Sequence, residues 1–132
     1  MLVKEAEQRE TILVVEDDFN ICALVRMFLE NAGYTVVTAD DGEEGLQVYK
    51  KYQPSIALLL TDVMMPKMNG PDLADRVLQL NSHLPVLFMS GDVPRINLHF
   101  GCLAKPFNHV DLLGRVAQVL HPSDGGQKQN RM

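Results

Sequence analysis

The stretch IALLLTDVMMPKMNGP, residues 56–71, contains a strand pattern followed by a helix start. It opens with a short apolar run, which is typical of a strand that is buried on both faces of a sheet. Asp62 closes this strand, and burying a carboxylate there is costly unless the carboxylate has a partner. The Asn69-Gly70-Pro71 sequence then marks a helix start, because proline is favoured in the first turn of a helix. A buried strand that leads into a helix predicts a βαβ unit and a parallel sheet.

The rest of the chain repeats this alternation of strand-length apolar runs and helical patterns, so we predict an α/β fold with a doubly wound parallel sheet of five strands. The predicted strands are residues 12–15, 34–38, 56–61, 85–90 and 101–104.

Local signals mark the ends of the helices between these strands. Gly33 is placed to end the first helix, Asp41 with Glu44 is a variant of the capping box that opens the second, and Asn108 is the predicted N-cap of the last. The apolar stripe of the first helix is predicted to contain Ile21, Leu24, Val25, Phe28 and Leu29, and that of the last helix Val110, Leu113, Val116 and Leu120.

The connection between the fourth and fifth strands is short. It contains ten residues, 91–100, which is near the lower limit of about 10–12 residues for a whole crossover. We therefore expect the fourth helix to be shortened or absent and replaced by a mobile loop.

Length and composition indicate one globular domain. The chain has 132 residues, of which 46% are hydrophobic, and apolar periodicity confines the predicted domain to residues 11–121, between an N-terminal tail (1–10) and a flexible C-terminal tail (122–132). Twelve basic and seventeen acidic residues give a net charge of −5, which argues against direct nucleic-acid binding. No apolar run approaches the length of a membrane span, so we expect a cytoplasmic protein without membrane contact. Cys22 and Cys102 lack metal-ligand spacing and are predicted to be buried free thiols.

Polar side chains stand at the carboxyl ends of several predicted strands, where parallel α/β sheets bind their ligands. Glu16 and Asp17 follow the first strand, Asp62 ends the third, Ser90 ends the fourth and Lys105 follows the fifth. Converging carboxylates repel one another unless a cation lies between them, and oxygen ligands favour Mg²⁺. A carboxylate beside Mg²⁺ can act as a nucleophile toward a phosphoryl group.

Four stretches resemble the signature stretches of response regulator receiver domains, in the same order. They are ILVVEDD (12–18), LLLTDVMMPKMNG (58–70), VLFMSGD (86–92) and AKPF (104–107). The resemblance implies a flavodoxin-like sheet with strand order 2-1-3-4-5. It also implies a two-component phosphorelay module that is not an enzyme beyond catalysing its own Mg²⁺-dependent phosphorylation and dephosphorylation.

The resemblance assigns roles residue by residue. Asp62 matches the phosphoacceptor, Lys105 and Ser90 the residues that contact the phosphoryl group, Asp17 a direct Mg²⁺ ligand, and Glu16 an acidic residue that acts through water. The backbone carbonyl of Met64 matches a further metal ligand. Asp18 matches a position that is often acidic without being a reliable ligand. Met64 and the neighbouring methionines, Met65 and Met68, are interpreted as packing residues.

The partners that the resemblance implies are a histidine kinase or histidine phosphotransfer protein and a downstream protein. Two departures from the family pattern bear on the signal output: the short connection at residues 91–100 and Cys102. Cys102 stands where the family usually has an aromatic residue, three positions before the lysine, so we expect the switch to act through order and disorder of residues 91–100. A homodimer could form through the altered face made by the fourth helix, the fifth strand and the last helix.

Three alternatives remain open. A phosphatase of the haloacid dehalogenase type would also use an aspartate nucleophile, but it needs a second aspartate two residues later, where this chain has Met64. A degenerate receiver would bind partners without phosphorylation. Asp17 or Asp18, taken alone, is interpreted more simply as a helix cap.

The stretch GPDLADRVLQLNSHLPVLFMSGD, residues 70–92, is similar to receivers of hybrid sensor kinases, so the chain is either such a receiver or a stand-alone regulator.

Overall fold

The computed structural model describes residues 9–91 and 101–122, which form one parallel sheet with helices on both faces. The strands are β1 (Thr11–Val15), β2 (Thr35–Ala39), β3 (Ile56–Asp62), β4 (Val86–Ser90) and β5 (Gly101–Ala104). The helices are α1 (Phe19–Asn31), α2 (Gly42–Tyr52), α3 (Gly70–Leu80) and α4 (His109–Leu120), with a 3₁₀ turn at Gln53–Ser55. The strand order is β2-β1-β3-β4-β5, which confirms the predicted flavodoxin-like fold.

Both faces of the sheet are buried. Successive side chains of a strand point to opposite faces, so each strand contributes to two core clusters. Leu13 and Val15 of β1 belong to a core cluster covered by α2 and α3. Ile12 and Val14 belong to a second cluster, which α1 and α4 cover. This double burial explains why the strands appear in the sequence as continuous apolar runs.

Each of the four helices begins with a side-chain oxygen that accepts a backbone N–H from its own first turn, which stabilises the helix end. The N-caps are Asp18, Asp41, Asn69 and Asn108. The predicted capping box at Asp41 is present in a variant form, since the Glu44 side chain accepts from the N–H of Asp40. Gly33 follows α1 with a φ of 102°, a left-handed conformation that glycine adopts without steric cost.

Three predictions about buried side chains were wrong. Leu24 and Val110 were placed on buried helix stripes, but they are 45% and 65% exposed. Periodicity identifies which side chains share a helix face, but it does not say how far neighbouring elements extend over that face. Met64 is 74% exposed, whereas Met65 and Met68 pack against the core as predicted.

Other predictions concern parts of the chain that the structure covers incompletely. The shortened helix between β4 and β5 and its order-disorder switch concern residues 92–100, which lie outside the described residues. The tail assignments stay predictions for the same reason. Cys22 and Cys102 are free thiols as predicted, but they are half-buried and not buried as expected. Across residues 9–91 and 101–122, no helix is long and apolar enough to cross a membrane.

Candidate functional site

The strand register brings the predicted site residues to one edge of the sheet. Val15, the last residue of β1, pairs with Thr61 of β3, so Glu16 and Asp62 emerge side by side. Asp62 pairs with Met89, next to Ser90, and Ser90 pairs with Ala104, next to Lys105. All of these positions lie at carboxyl ends of parallel strands, as expected for a ligand site in such a sheet.

Three carboxylates gather at this edge. Glu16 and Asp62 are buried, with 2% and 7% of their surface exposed, while Asp17 is exposed to solvent. One oxygen from each of these residues lies within 4.8 Å of the others. Like charges at this separation favour a cation between them.

Lys105 supplies one positive charge to the site. Its Nζ lies 2.9 Å from Oε1 of Glu16 and 3.3 Å from Oδ1 of Asp62. Its backbone N–H donates to the carbonyl of Ser90 at 2.8 Å, which holds the start of the β5–α4 loop against the end of β4. The Lys105–Pro106 peptide bond is cis. The lysine therefore bridges the two buried carboxylates that the sequence placed 46 residues apart.

Backbone donors hold both buried carboxylates in place. Oδ1 of Asp62 accepts the N–H of Val63 at 3.0 Å, and Oε2 of Glu16 accepts the N–H of Asp18 at 3.1 Å. Asp18 itself caps α1 by accepting from Asn20 and Ile21. The cap interpretation is thus confirmed for Asp18, and Asp17 lies in the carboxylate group instead.

Burial sets the acid–base behaviour of the site. Desolvation raises the pKa of Asp62 and of Glu16 from their usual values, although contacts with Lys105 partly oppose the shift. Desolvation alone would lower the pKa of Lys105, but its hydrogen bond to Glu16 and the charge of Asp62 raise it overall. The lysine is therefore charged at neutral pH, and it contacts two of the three carboxylates.

The chemistry of the donors fits Mg²⁺. The group consists of hard carboxylate oxygens, without cysteine or histidine, and one of its members is open to solvent. Mg²⁺ prefers oxygen ligands and retains several waters, so it needs few protein ligands and an accessible side. Glu16, Asp17 and Asp62 therefore fit the predicted Mg²⁺ site.

Two predicted residues are less directly connected to this group. Ser90 is buried at the end of β4, beside the backbone of Lys105. Met64 lies two residues after Asp62 in the β3–α3 loop, and the role of its backbone carbonyl stays a prediction. Cys102, at the position where the resemblance implies an aromatic residue, pairs with Phe88 across β4 and β5 and packs partly against the core.

Gly70 constrains the backbone beside the site in a way that its sequence pattern does not reveal. A Cβ on Gly70 would lie 2.2 Å from the carbonyl oxygen of Asp62. The N–H of Gly70 donates to the carbonyl oxygen of Val63 at 2.8 Å. Any other residue would push against the backbone of Asp62. The Asn-Gly-Pro pattern indicates a helix start, but it does not indicate this close approach of Gly70 to the Asp62 backbone.

Comparison with known proteins yields consistent matches. Residues 12–117 match the family model described as "Response regulator receiver domain". The chain is 40% identical over 115 residues to the uncharacterized transcriptional regulatory protein YcbL of Bacillus subtilis, covering 82% of this chain and 50% of that protein. It is 36% identical over 125 residues to the transcriptional regulatory protein CpxR of Escherichia coli K12, covering 89% and 52%. The chain thus spans about half the length of these relatives.

Solved structures show the same fold. The receiver domain of the hybrid histidine kinase CckA superposes with a TM-score of 0.76 at 34% identity, covering 84% of this chain and 99% of that one. The chemotaxis protein CheY4 of Vibrio cholerae superposes with a TM-score of 0.75 at 30% identity, covering 85% and 99%.

Proposed function

Since this chain belongs to the family of response regulator receiver domains, we propose that it accepts a phosphoryl group on Asp62. The donor is a phosphohistidine on a histidine kinase or a histidine phosphotransfer protein. The observation that carries the proposal is the bridging contact of Lys105 with Asp62 and Glu16 beside the exposed carboxylate of Asp17.

The transfer step is a displacement at phosphorus. A carboxylate oxygen of Asp62 attacks the phosphorus atom, an O–P bond forms, the N–P bond to the imidazole breaks, and the imidazole nitrogen retains the electron pair and takes up a proton. The product is an aspartyl phosphate. The raised pKa of Asp62 reflects burial without a metal, and a bound cation favours the ionised, nucleophilic form.

Asp17 and Asp62 would hold Mg²⁺ directly, the carbonyl of Met64 would be a third direct protein ligand, and Glu16 would act through water. Bound Mg²⁺ neutralises charge that develops on the phosphoryl oxygens. Lys105 has the reach to contact a phosphoryl oxygen on Asp62, because its Nζ already lies 3.3 Å from that carboxylate. The hydroxyl of Ser90 would donate a further hydrogen bond to the phosphoryl group.

The phosphorylated chain would signal by changing its affinity for a partner protein. Its only reactions would be its own phosphorylation and dephosphorylation, so we propose a signalling module and not an enzyme with a separate substrate. The two relatives named above are transcriptional regulatory proteins by name. The downstream partner of this chain, and self-association through the β5–α4 face, belong to the proposal.

Intact-mass measurement tests this function. Wild type treated with acetyl phosphate and Mg²⁺ should gain the mass of one phosphoryl group, and the gain should be absent with a chelator or in Asp62→Asn. Asp72→Asn is a suitable control, because it removes an exposed acidic residue in α3 away from the carboxylate group. Equal phosphorylation of Asp62→Asn and wild type would contradict the proposal.

A further inference from the structure

The loop between β3 and α3, residues 63–69, is held by its own core side chains, Met65 and Met68, and by the start of α2. It carries Met64, whose backbone carbonyl is a proposed Mg²⁺ ligand, but the Met64 side chain is 74% exposed and anchors nothing in the core. A metal ligand supplied by a loop backbone is useful only if other contacts fix that backbone.

The amino end of α2 makes such a contact. A Cβ on Gly42 would lie 2.2 Å from the carbonyl oxygen of Met68 and 2.6 Å from its Cβ. Only a residue without a side chain allows α2 to approach the loop backbone this closely. Leu46, one turn further along α2, belongs to the core cluster against which Met68 packs.

Asp41, the residue before Gly42, holds the same loop by a second contact. Its Oδ1 caps α2 by accepting the N–H of Glu44 at 2.8 Å, and its Oδ2 lies 3.6 Å from Nζ of Lys67. Lys67 has a φ of 72°, a left-handed conformation that is unfavourable for a residue with a side chain. A conformation of this kind persists only where the surrounding contacts maintain it.

We propose that Asp41 and Gly42 are positioning residues that brace the β3–α3 loop and thereby set the Mg²⁺ affinity of the site. The inference rests on the proposed function, because Met64 is a ligand only within it. Neither residue belongs to the carboxylate group, so each would act through Met68 or Lys67.

The test compares two glycine-to-alanine substitutions in α2. Gly42→Ala should push the Met68 backbone away and weaken Mg²⁺ binding about tenfold or more, the range seen when support of a metal ligand is lost. Gly45→Ala is the matched control, because its Cβ would meet side-chain methyl groups of Val15 and Leu73 at 3.0 and 3.1 Å and not the loop. It should leave the Mg²⁺ dissociation constant within about twofold of the wild-type value, a small change on the free-energy scale.

Calorimetric titration with Mg²⁺ and thermal melts in chelator supply the two readouts. Equal Mg²⁺ affinity of Gly42→Ala and wild type would overturn the brace, as would an equal loss of affinity in both alanine variants. If wild type itself neither binds Mg²⁺ nor becomes phosphorylated, the proposed function fails first and the brace fails with it.

A second pair of variants covers the case in which Gly42→Ala does not fold. Asp41→Asn keeps a capping oxygen for Glu44 but loses the charge that faces Lys67. It should weaken Mg²⁺ binding about threefold, as expected for a partly exposed ion pair, and this loss should disappear when Lys67→Met is already present. Additive effects of the two substitutions would show that Asp41 does not act through Lys67 and would overturn its part in the brace.

Discussion

Nζ of Lys105 lies 2.9 Å from Oε1 of Glu16, and the Glu16 side chain is almost fully buried. The pair joins the ends of β5 and β1, which have β3 and β4 between them. Asp62, at the end of β3, is the second carboxylate that Lys105 contacts. Removing either partner of a buried ion pair leaves an uncompensated charge, and the measured cost is commonly about 3–5 kcal/mol.

The first prediction concerns Lys105. Lys105→Met should lower the free energy of unfolding of the metal-free protein by about 2 kcal/mol, less than for a fully buried pair because the lysine side chain is 19% exposed. Adding Mg²⁺ should recover most of this loss, because the cation replaces the missing positive charge. Urea unfolding with and without Mg²⁺ measures both effects, and an unchanged stability in chelator would contradict the assigned contacts.

The second prediction concerns pH in the absence of metal. The pKa values of Asp62 and Glu16 are raised in the fold, so the folded state binds protons more tightly than the unfolded state. Their contribution to stability is present below the unfolded carboxylate pKa of about 4 and is lost as the pH rises through the raised values. The pKa of Lys105 is raised as well, but its contribution is lost only above about pH 10.

Urea unfolding in chelator between about pH 4 and pH 7 checks this behaviour. Asp62→Asn and Glu16→Gln should each gain stability relative to wild type as the pH rises. If the difference in unfolding free energy between each variant and wild type does not change with pH, then burial does not raise the pKa values of Asp62 and Glu16.

The third prediction separates two adjacent carboxylates. Asp17→Asn should weaken Mg²⁺ binding by at least about tenfold, because it removes an oxygen ligand from a site that has few. Asp18→Asn removes the same charge one residue later, but asparagine keeps the cap of α1. Its Mg²⁺ affinity and melting temperature should stay close to those of wild type.

Melting curves with and without Mg²⁺ check this contrast. Wild type and Asp18→Asn should melt at a higher temperature with Mg²⁺, because ligand binding to the folded state stabilises it by mass action. Asp17→Asn should show little increase. If Mg²⁺ raises the melting temperature of Asp17→Asn but not that of Asp18→Asn, then Asp18 is the Mg²⁺ ligand and Asp17 is not.

The fourth prediction concerns the left-handed residue of the β3–α3 loop. Lys67→Gly should raise the free energy of unfolding by about 0.5–1 kcal/mol, because glycine adopts a φ of 72° without the steric cost that lysine has. Lys67→Ala is the control, since it removes the contact with Asp41 but keeps the Cβ. A Lys67→Gly variant no more stable than Lys67→Ala would contradict the assigned backbone conformation.

The sequence predicted the strands well because both faces of the sheet are buried. Each of the five runs lies within one residue of the observed strand at either end, and Asp41, Asn69 and Asn108 begin their helices as expected. These features depend on local chemistry, namely apolar runs and short polar caps. Exposure of Leu24, Val110 and Met64 depends on tertiary surroundings, which periodicity does not describe.

The candidate site was predictable in its membership but not in its contacts. Strand ends in a parallel sheet meet at one edge, so Glu16, Asp17, Asp62, Ser90 and Lys105 could be grouped from the sequence. The bridging position of Lys105 and the backbone approaches of Gly42 and Gly70 depend on distances between elements that are distant in the chain. Glycine contacts of this kind look in the sequence like ordinary turn or helix-start signals.

Locating the phosphoryl group in the chain tests directly whether Asp62 is the phosphoacceptor. Wild type treated with acetyl phosphate and Mg²⁺, then reduced with borohydride, converts an aspartyl phosphate to homoserine, and peptide mass spectrometry identifies the altered position. We predict reduction at Asp62 alone. Homoserine at Asp17, Asp18 or another acidic residue, with Asp62 unchanged, would contradict the assignment of Asp62 as the phosphoacceptor.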